Sequence, residues 1–200
     1  VGNSAAEWTG CDRTGTQNWY NQHIEIDPLN PEIVWVDTID IFKSANGGDT
    51  FNNITCGYSG GNTVHVDHHA LEFVPGSSSV LLAGSDCGMY VTTNAEATTP
   101  TFSQLNDTLN TIEFYGGDIT ANFANSTRPG ANGGAQDNGS MVYEWVAPTP
   151  VGPAMWQLRK GGDGMYARIE PVQGLRWYQE SQNGNLAVTT NGPFSSQVNA

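Results

Sequence analysis

Cys87-Gly88-Met89-Tyr90-Val91-Thr92-Thr93-Asn94 returns one residue longer as Asn183-Gly184-Asn185-Leu186-Ala187-Val188-Thr189-Thr190-Asn191, a glycine turn, a short apolar run and a Thr-Thr-Asn stop. The two glycines lie 96 residues apart. An earlier copy of the stop is Ser44-Ala45-Asn46, so the three asparagines are spaced 48 and then 97. A second landmark gives the same step. Ile26-Asp27-Pro28, Phe73-Val74-Pro75 and Ile169-Glu170-Pro171 each end an apolar run at a proline, and those prolines are 47 and then 96 apart. Since 96 is twice 48, the chain reads as units of about 48 residues.

The skipped copy belongs between them, where YGGDITANF (115–123) and QDNGSMVYEW (136–145) supply a strand and a hairpin arm in order. Asp67, Asp118 and Asp163 then read as equivalent, with steps of 51 and 45, and Asp86, Asp137 and Gln182 repeat those steps. Within a unit, short runs such as HIEIDP, EIVWVDT, IDIFKSA and SVLLAGS are separated by Gly, Asn, Asp and Pro, the pattern of strands and tight turns. Four short strands per unit predict a propeller blade, whose sheet buries its faces only against neighbouring blades. A plain β-sandwich predicts no such period. The expected fold is all-β, a β-propeller forming an open arc of about three and a half four-stranded blades from a larger propeller. Residues 1–18 are expected to form an N-terminal extension or outer strand, followed by blades at 19–58, 64–105, 111–160 and an incomplete one at 161–200. Such an arc needs remaining blades from the same polypeptide or another chain.

Composition narrows the partners. Seven Lys and Arg face 20 Asp and Glu, a net charge of −13, which repels phosphate backbones and anionic headgroups. Nucleic acid is not an expected partner. No apolar run approaches the roughly 18 residues of a membrane span, and the chain reads as soluble, with any export signal already removed. Twenty aromatic residues argue against disorder. Cys11, Cys56 and Cys87 fit no metal-binding spacing, and one disulfide plus one thiol is the simplest count. Cys11 and Cys56 flank the first unit and are the expected pair. Low charge and scarce lysine point to an extracellular protein, secreted or held at the cell surface. Asn53, Asn106, Asn125 and Asn138 stand in glycosylation sequons.

Lys43-Ser44-Ala45-Asn46-Gly47-Gly48-Asp49-Thr50-Phe51 resembles the Asp-box of neuraminidase repeats, S-x-D-x-G-x-T-W, with Asn46 and Phe51 in place of Asp and Trp. The resemblance implies a structural turn built on Ser44, Asn46, Gly48 and Phe51; degenerate copies follow at Thr93-Asn94-Ala95 and Thr190-Asn191-Gly192. VHVDHHALEFVP (64–75), GGAQDNGS (133–140), GGDGMYARIEP (161–171) and YQESQNGNLAVTTNG (178–192) together are similar to secreted bacterial sortilin-like and glycosidase-like propellers. That likeness implies further blades and fixes no chemistry.

Alternation in His65-Val66-Asp67-His68-His69 would put His65, Asp67 and His69 on one strand face, a set able to hold zinc or a similar metal. The competing reading is hydrogen bonding at a blade junction. Asp67, Asp118 and Asp163, expected to open three inner strands, and Asp86 and Asp137, expected in Gly-rich turns, are candidate binding residues around a channel mouth. They would either cap turns or take a hard cation such as calcium; no cofactor is otherwise required. Asp86 and Asp118 are the candidate catalytic pair if the chain hydrolyses glycosides, which needs two carboxyl groups about 5–9.5 Å apart. A sialidase site needs clustered arginines and a tyrosine nucleophile, and Arg13, Arg128, Arg159, Arg168 and Arg176 show no such motif. No G-x-S-x-G nucleophile turn occurs. Trp8, Trp19, Trp145, Trp156 and Trp177 are read as blade packing. The reading is a non-catalytic module that binds or scaffolds a protein or glycan partner. A glycoside hydrolase fragment and a structural subunit of an extracellular assembly are the alternatives.

Overall fold

The computed structural model describes residues 8–11, 17, 19–60, 64–109, 111–145 and 156–199. The chain divides into two compact units, Val1–Asn110 and Thr111–Ala200. Among the described residues the regular elements are strands and single 3-10 turns, and no helix is long and apolar enough to cross a membrane.

In the first unit, β1 (Trp8–Thr9), β2 (His23–Ile26), β3 (Val34–Asp37), β4 (Ile41–Ser44) and β5 (Phe51–Asn53) form one sheet in the order β1-β5-β4-β3-β2. Strands β2 to β5 run as an antiparallel meander, and β1 adds in parallel at the outer edge, Trp8 opposite Phe51. Trp8 stacks on Phe51 at 4.8 Å and meets Phe42 edge-on at 4.9 Å. A Cys11–Cys56 disulfide fastens this edge. The second sheet is the meander β6 (His68–Phe73), β7 (Leu81–Ser85), β8 (Gly88–Thr92) and β9 (Phe102–Gln104). Between the two sheets lies a core that includes Trp35, Ile41, Leu71, Phe73, Leu81, Tyr90 and Phe102. Trp35, Ile41 and Leu81 are wholly buried, each contributing roughly 2–3 kcal/mol. Strand alternation puts Trp35, paired with Glu25 and Lys43, on one face with Ile41 and Asp37, while Val34 and Val36 point the other way.

The second unit repeats the plan. β10 (Gly116–Ile119), β11 (Gly130–Ala135), β12 (Gly139–Glu144) and β13 (Gln157–Lys160) form one meander, and β14 (Gly164–Ile169), β15 (Trp177–Ser181), β16 (Asn185–Thr189) and β17 (Gln197–Asn199) the other. Val142, Ile169 and Trp177 pack between them. The backbones approach closely at β11, because its glycines leave no side chain on that face. A Cβ on Gly134 would strike the backbone of Met165, and one on Gly130 would strike the Trp177 ring.

Four separate four-stranded antiparallel meanders at a fixed period are blades, and the chain is an all-β, propeller-type repeat protein. Two details differ from the sequence reading. The fourth unit, expected to be incomplete, holds all four strands, its last the three residues of β17. Its closing turn carries Pro193 and Ser195 where the earlier units have a Thr-led strand, which hides β17 from a pattern search. The phase of the third unit also shifts. First strands begin at His68, Gly116 and Gly164, steps of 48 and 48, so Asp67 and Asp163 precede their strands while Asp118 lies inside β10. The added residues of the third blade fall between its first and second strands.

Candidate functional site

In each unit the first strand of the first sheet carries an acid at its third position, Glu25 in β2 and Asp118 in β10. The Glu25 carboxylate accepts the backbone N–H of Phe73 at 3.4 Å, and Asp118 accepts that of Ile169 at 2.9 Å. Phe73 and Ile169 are each the sixth residue of the first strand in the next sheet. The same bond, at the same two positions, therefore joins the sheets of each unit. The second oxygen of Asp118 accepts Ile119 N–H at 2.9 Å. Arg168 donates to the carbonyl of Gly117 at 3.1 Å beside it. Asp118, a sequence candidate for catalysis, is thus spent on a blade-to-blade clasp. Glu25, which the sequence reading passed over, is its counterpart.

Acids also cap the turn after the first strand. Asp27 accepts Leu29 N–H at 2.8 Å, Asn30 N–H at 3.1 Å and the hydroxyl of Ser78. Glu170 takes Gln173 N–H at 3.0 Å and Gly174 N–H at 3.2 Å. Desolvation pushes the Glu170 carboxyl up, but the N–H groups of Gln173, Val172, Gly174 and Leu175 outweigh it and hold the group below the usual carboxylate range. Glu170 also borders a cavity of about 350 Å³ lined by Val172, Gln173, Leu175, Arg176 and Thr190.

A polar group collects in the first unit where the β3–β4 turn meets the start of β6. Asp67 N–H donates to Ile39 carbonyl at 2.9 Å and His68 N–H to Thr38 carbonyl at 3.0 Å. Asp67 has left-handed backbone, φ 62°, and its carboxylate accepts Gln17 Nε2 at 2.8 Å. His65 Nδ1 lies 3.0 Å from the carbonyl of Val66. His69 Nε2 pairs with Asp86 Oδ1 at 2.7 Å, and wholly buried Asn21 reaches His68 carbonyl at 3.2 Å and His69 Nε2 at 3.4 Å. His65 and Asp67 precede β6, and a register shift follows His68, so the three expected ligands do not share a strand face. What the fold gathers instead is Asp37, at the end of β3, with His23 opposite it in register and His69 within electrostatic range. Asp37 is wholly buried with no well-formed hydrogen bond at either oxygen. Burial pushes its carboxyl up to about 6, against the pull of the His23 charge and N–H and of His69. His68, also wholly buried, has neither ring nitrogen hydrogen-bonded. Burial, with His65 and His69 adding to it, drives its pKa down to about 3.

Asp86 sits in the β7–β8 turn, its N–H on Asp67 carbonyl at 3.1 Å. Asp137 occupies the matching β11–β12 turn with φ 59°, and Asp163 N–H donates to Gln182 Oε1 at 2.9 Å just before β14. The Ser44 hydroxyl accepts Gly48 N–H at 2.9 Å, and Asn46 Oδ1 accepts Thr50 N–H at 3.0 Å, placing Phe51 at the start of β5. Asn94 does the same for Thr101 N–H at 2.9 Å, with the hydroxyl supplied by Thr92. Cys87 is half-buried and lies outside the disulfide. Trp177 is buried, Trp145 and Trp156 are 37% and 39% exposed, and Trp19 is 78% exposed, so the reading of all five tryptophans as packing fails at Trp19. Arg13 lies outside the described residues.

No protein-family model and no curated protein matches the chain. Among solved structures it is similar to an ancestral GH74 enzyme (18% identity, 87% of this chain and 23% of that one, TM-score 0.38). It is similar also to Chaetomium thermophilum Sqt1 bound to the N-terminus of the ribosomal protein L10 (21%, 84% and 44%, TM-score 0.30) and to YCF48 from Cyanidioschyzon merolae (11%, 88% and 70%, TM-score 0.27). The chain spans less than half the length of the first two.

Proposed function

We propose that the chain is a non-catalytic propeller module, secreted or displayed at the cell surface, that binds or scaffolds a protein or glycan partner. The observation that carries this is the equivalence of Asp118 and Glu25: the acid offered for hydrolysis does a structural task that recurs in the other unit. Asp86, its candidate partner in catalysis, is paired with His69. The hydrogen-bonded turns at Ser44–Phe51 and Thr92–Phe102 support the Asp-box likeness, and with it a sortilin-like or glycosidase-like ancestry with further blades from the same polypeptide or another chain. A Cys11–Cys56 disulfide fits an oxidising, extracellular setting. No cofactor is needed for this role.

Incubation with β-glucan and xyloglucan oligosaccharides tests it, with release of reducing ends as the readout. None is expected from the wild type. Release that disappears in both Asp118→Asn and Asp86→Asn would establish the glycoside hydrolase alternative. A shared blade edge between copies, seen as self-association in sedimentation, would instead favour the structural subunit of an assembly.

A further inference from the structure

Charge is unevenly divided along the chain. Residues 1–110 hold thirteen of the 20 acids and two of the seven basic residues, a net of −11, whereas residues 111–200 carry −2. One of those two, Lys43, is 8% exposed, its ammonium bonded to the carbonyls of Ala95 at 2.7 Å and Ala97 at 2.8 Å. No described Lys or Arg of the first unit therefore presents its charge to solvent. In this acidic unit Trp19 at 78% and Tyr20 at 60% are exposed aromatic neighbours. They are not loose. Tyr20 N–H donates to Gln17 carbonyl at 2.8 Å, the next residue, Asn21, is wholly buried, and the Tyr20 ring meets His69 edge-on at 5.1 Å. His69 is in turn held by Asp86.

We infer that Trp19 and Tyr20 form a docking point for an arginine side chain on a partner protein. This rests on the non-catalytic binding reading and names the partner's chemistry. Trp and Tyr are the residues that carry most binding energy at interfaces, and their ring faces attract cations. The ring planes are inclined at 51° for Trp19–Tyr20 and 82° for Tyr20–His69, so they make angled walls rather than the flat platform on which a sugar ring stacks. A guanidinium is planar, weakly hydrated and stacks on one wall, with Asp86 the carboxylate that the Tyr20–His69 contact leads to. The field of a −11 unit steers such a cation in and repels acidic competitors.

Calorimetric titration with an acetylated Gly-Arg-Gly-Arg-Gly amide tests this, against the citrulline peptide of the same length and against cellohexaose. Binding of the arginine peptide is expected, with affinity falling as salt rises. Trp19→Ala should weaken it at least about tenfold at an unchanged melting temperature, whereas Glu72→Gln, which removes one exposed charge elsewhere in the unit, should change it less than about twofold. Equal binding by wild type and Trp19→Ala, or by the citrulline peptide, would overturn the inference. So would binding of cellohexaose alone. Hydrolysis of the oligosaccharide is read separately, so these failures leave the non-catalytic reading standing or falling on its own assay.

Discussion

Substituting His68 by Leu should remove most of the acid sensitivity of the first unit. His68 has its pKa lowered from 6.5 to about 3, so between those values the unfolded chain binds a proton the folded chain refuses. Stability from this residue is complete above pH 6.5 and is lost as pH falls towards 3. At 1.36 kcal/mol per unit the full effect is about 5 kcal/mol, of which about 2 is lost by pH 5 and about 3 by pH 4. Asp37 acts in the opposite sense. With its pKa raised from 3.8 to about 6, the folded chain holds the extra proton, and stability is gained as pH falls through that window. That gain is at most about 3 kcal/mol, and nearer 1–2 kcal/mol once screening by solvent is allowed for. Wild type then loses about 1–2 kcal/mol from the pair between pH 7 and pH 4. His68→Leu leaves only the Asp37 gain and should hold or rise in stability on acidification, while Asp37→Asn leaves only the His68 loss and should fall by about 3 kcal/mol. Neither His68 ring nitrogen makes a hydrogen bond, so leucine forfeits none at pH 7. Urea midpoints and m-values for the three proteins at pH 7, 6, 5 and 4 measure this directly. Parallel curves for wild type and His68→Leu would refute the reasoning.

Other outcomes follow from single contacts. Cys56→Ser opens a disulfide spanning 45 residues and should cost up to about 4 kcal/mol, read as a fall in the reducing-agent sensitivity of thermal melting together with a lower melting temperature. Lys43→Met keeps an aliphatic stem but removes the ammonium from Ala95, Ala97 and the Trp35 ring face, so it should destabilise by about 1–3 kcal/mol in urea titration, less than Lys43→Ala, which also loses the stem's packing. Gly134→Ala drives a methyl group into the Met165 backbone and should fail to yield folded protein or lose more than about 3 kcal/mol by denaturant unfolding, where Gly60→Ala, with open space around it, loses about 1 kcal/mol from its positive φ alone. Chelator should leave the melting temperature unchanged within about 1 °C; a drop of several degrees, reversed by calcium, would show that a bound cation supports the fold.

The blades were legible because the turns that end their strands need particular side chains. Asn46 and Asn94 recur since each bonds the N–H of the residue just before the fourth strand, and Asp27 and Glu170 recur since each caps the turn behind the first. Those landmarks fix the period but not the phase of every strand. Asp118 was misaligned with Asp67 and Asp163 because a carboxylate at a turn and one on a strand look alike in sequence, and residues added after β10 hid the equal steps of 48 between strand starts. The polar group around Asp37 and His68 was legible only in part. Its histidines stand together in the sequence, but Asp37 and Asn21 come from a separate strand and turn, and burial is a property of the packed unit. Exposure of Trp19 was equally invisible, since an aromatic residue before a strand reads as packing until neighbours are counted.

Comparison among the blades separates what the architecture requires from what is particular to the first unit. The backbone bond from Gly47 to Glu32 carbonyl reappears from Ala95 to Ser79 and from Gly192 to Leu175, each tying a turn after the third strand to the residue two before the second. Such a bond is indifferent to side chain and survives sequence drift. The opening residue of the first strand behaves differently: it is Gly116 and Gly164 in the second unit but His23 and His68 in the first. A blade therefore needs no imidazole there. Burying one with both nitrogens unbonded, beside an equally buried Asp37, costs stability that a glycine would not, and the cost depends on pH. It falls in the same unit that concentrates the negative charge and presents Trp19 and Tyr20, directly behind His69, whose ring contacts Tyr20. Departure from the repeat and exposure of the aromatic pair thus coincide, and a partner bound at Trp19 and Tyr20 would touch the one histidine that links that surface to the buried group.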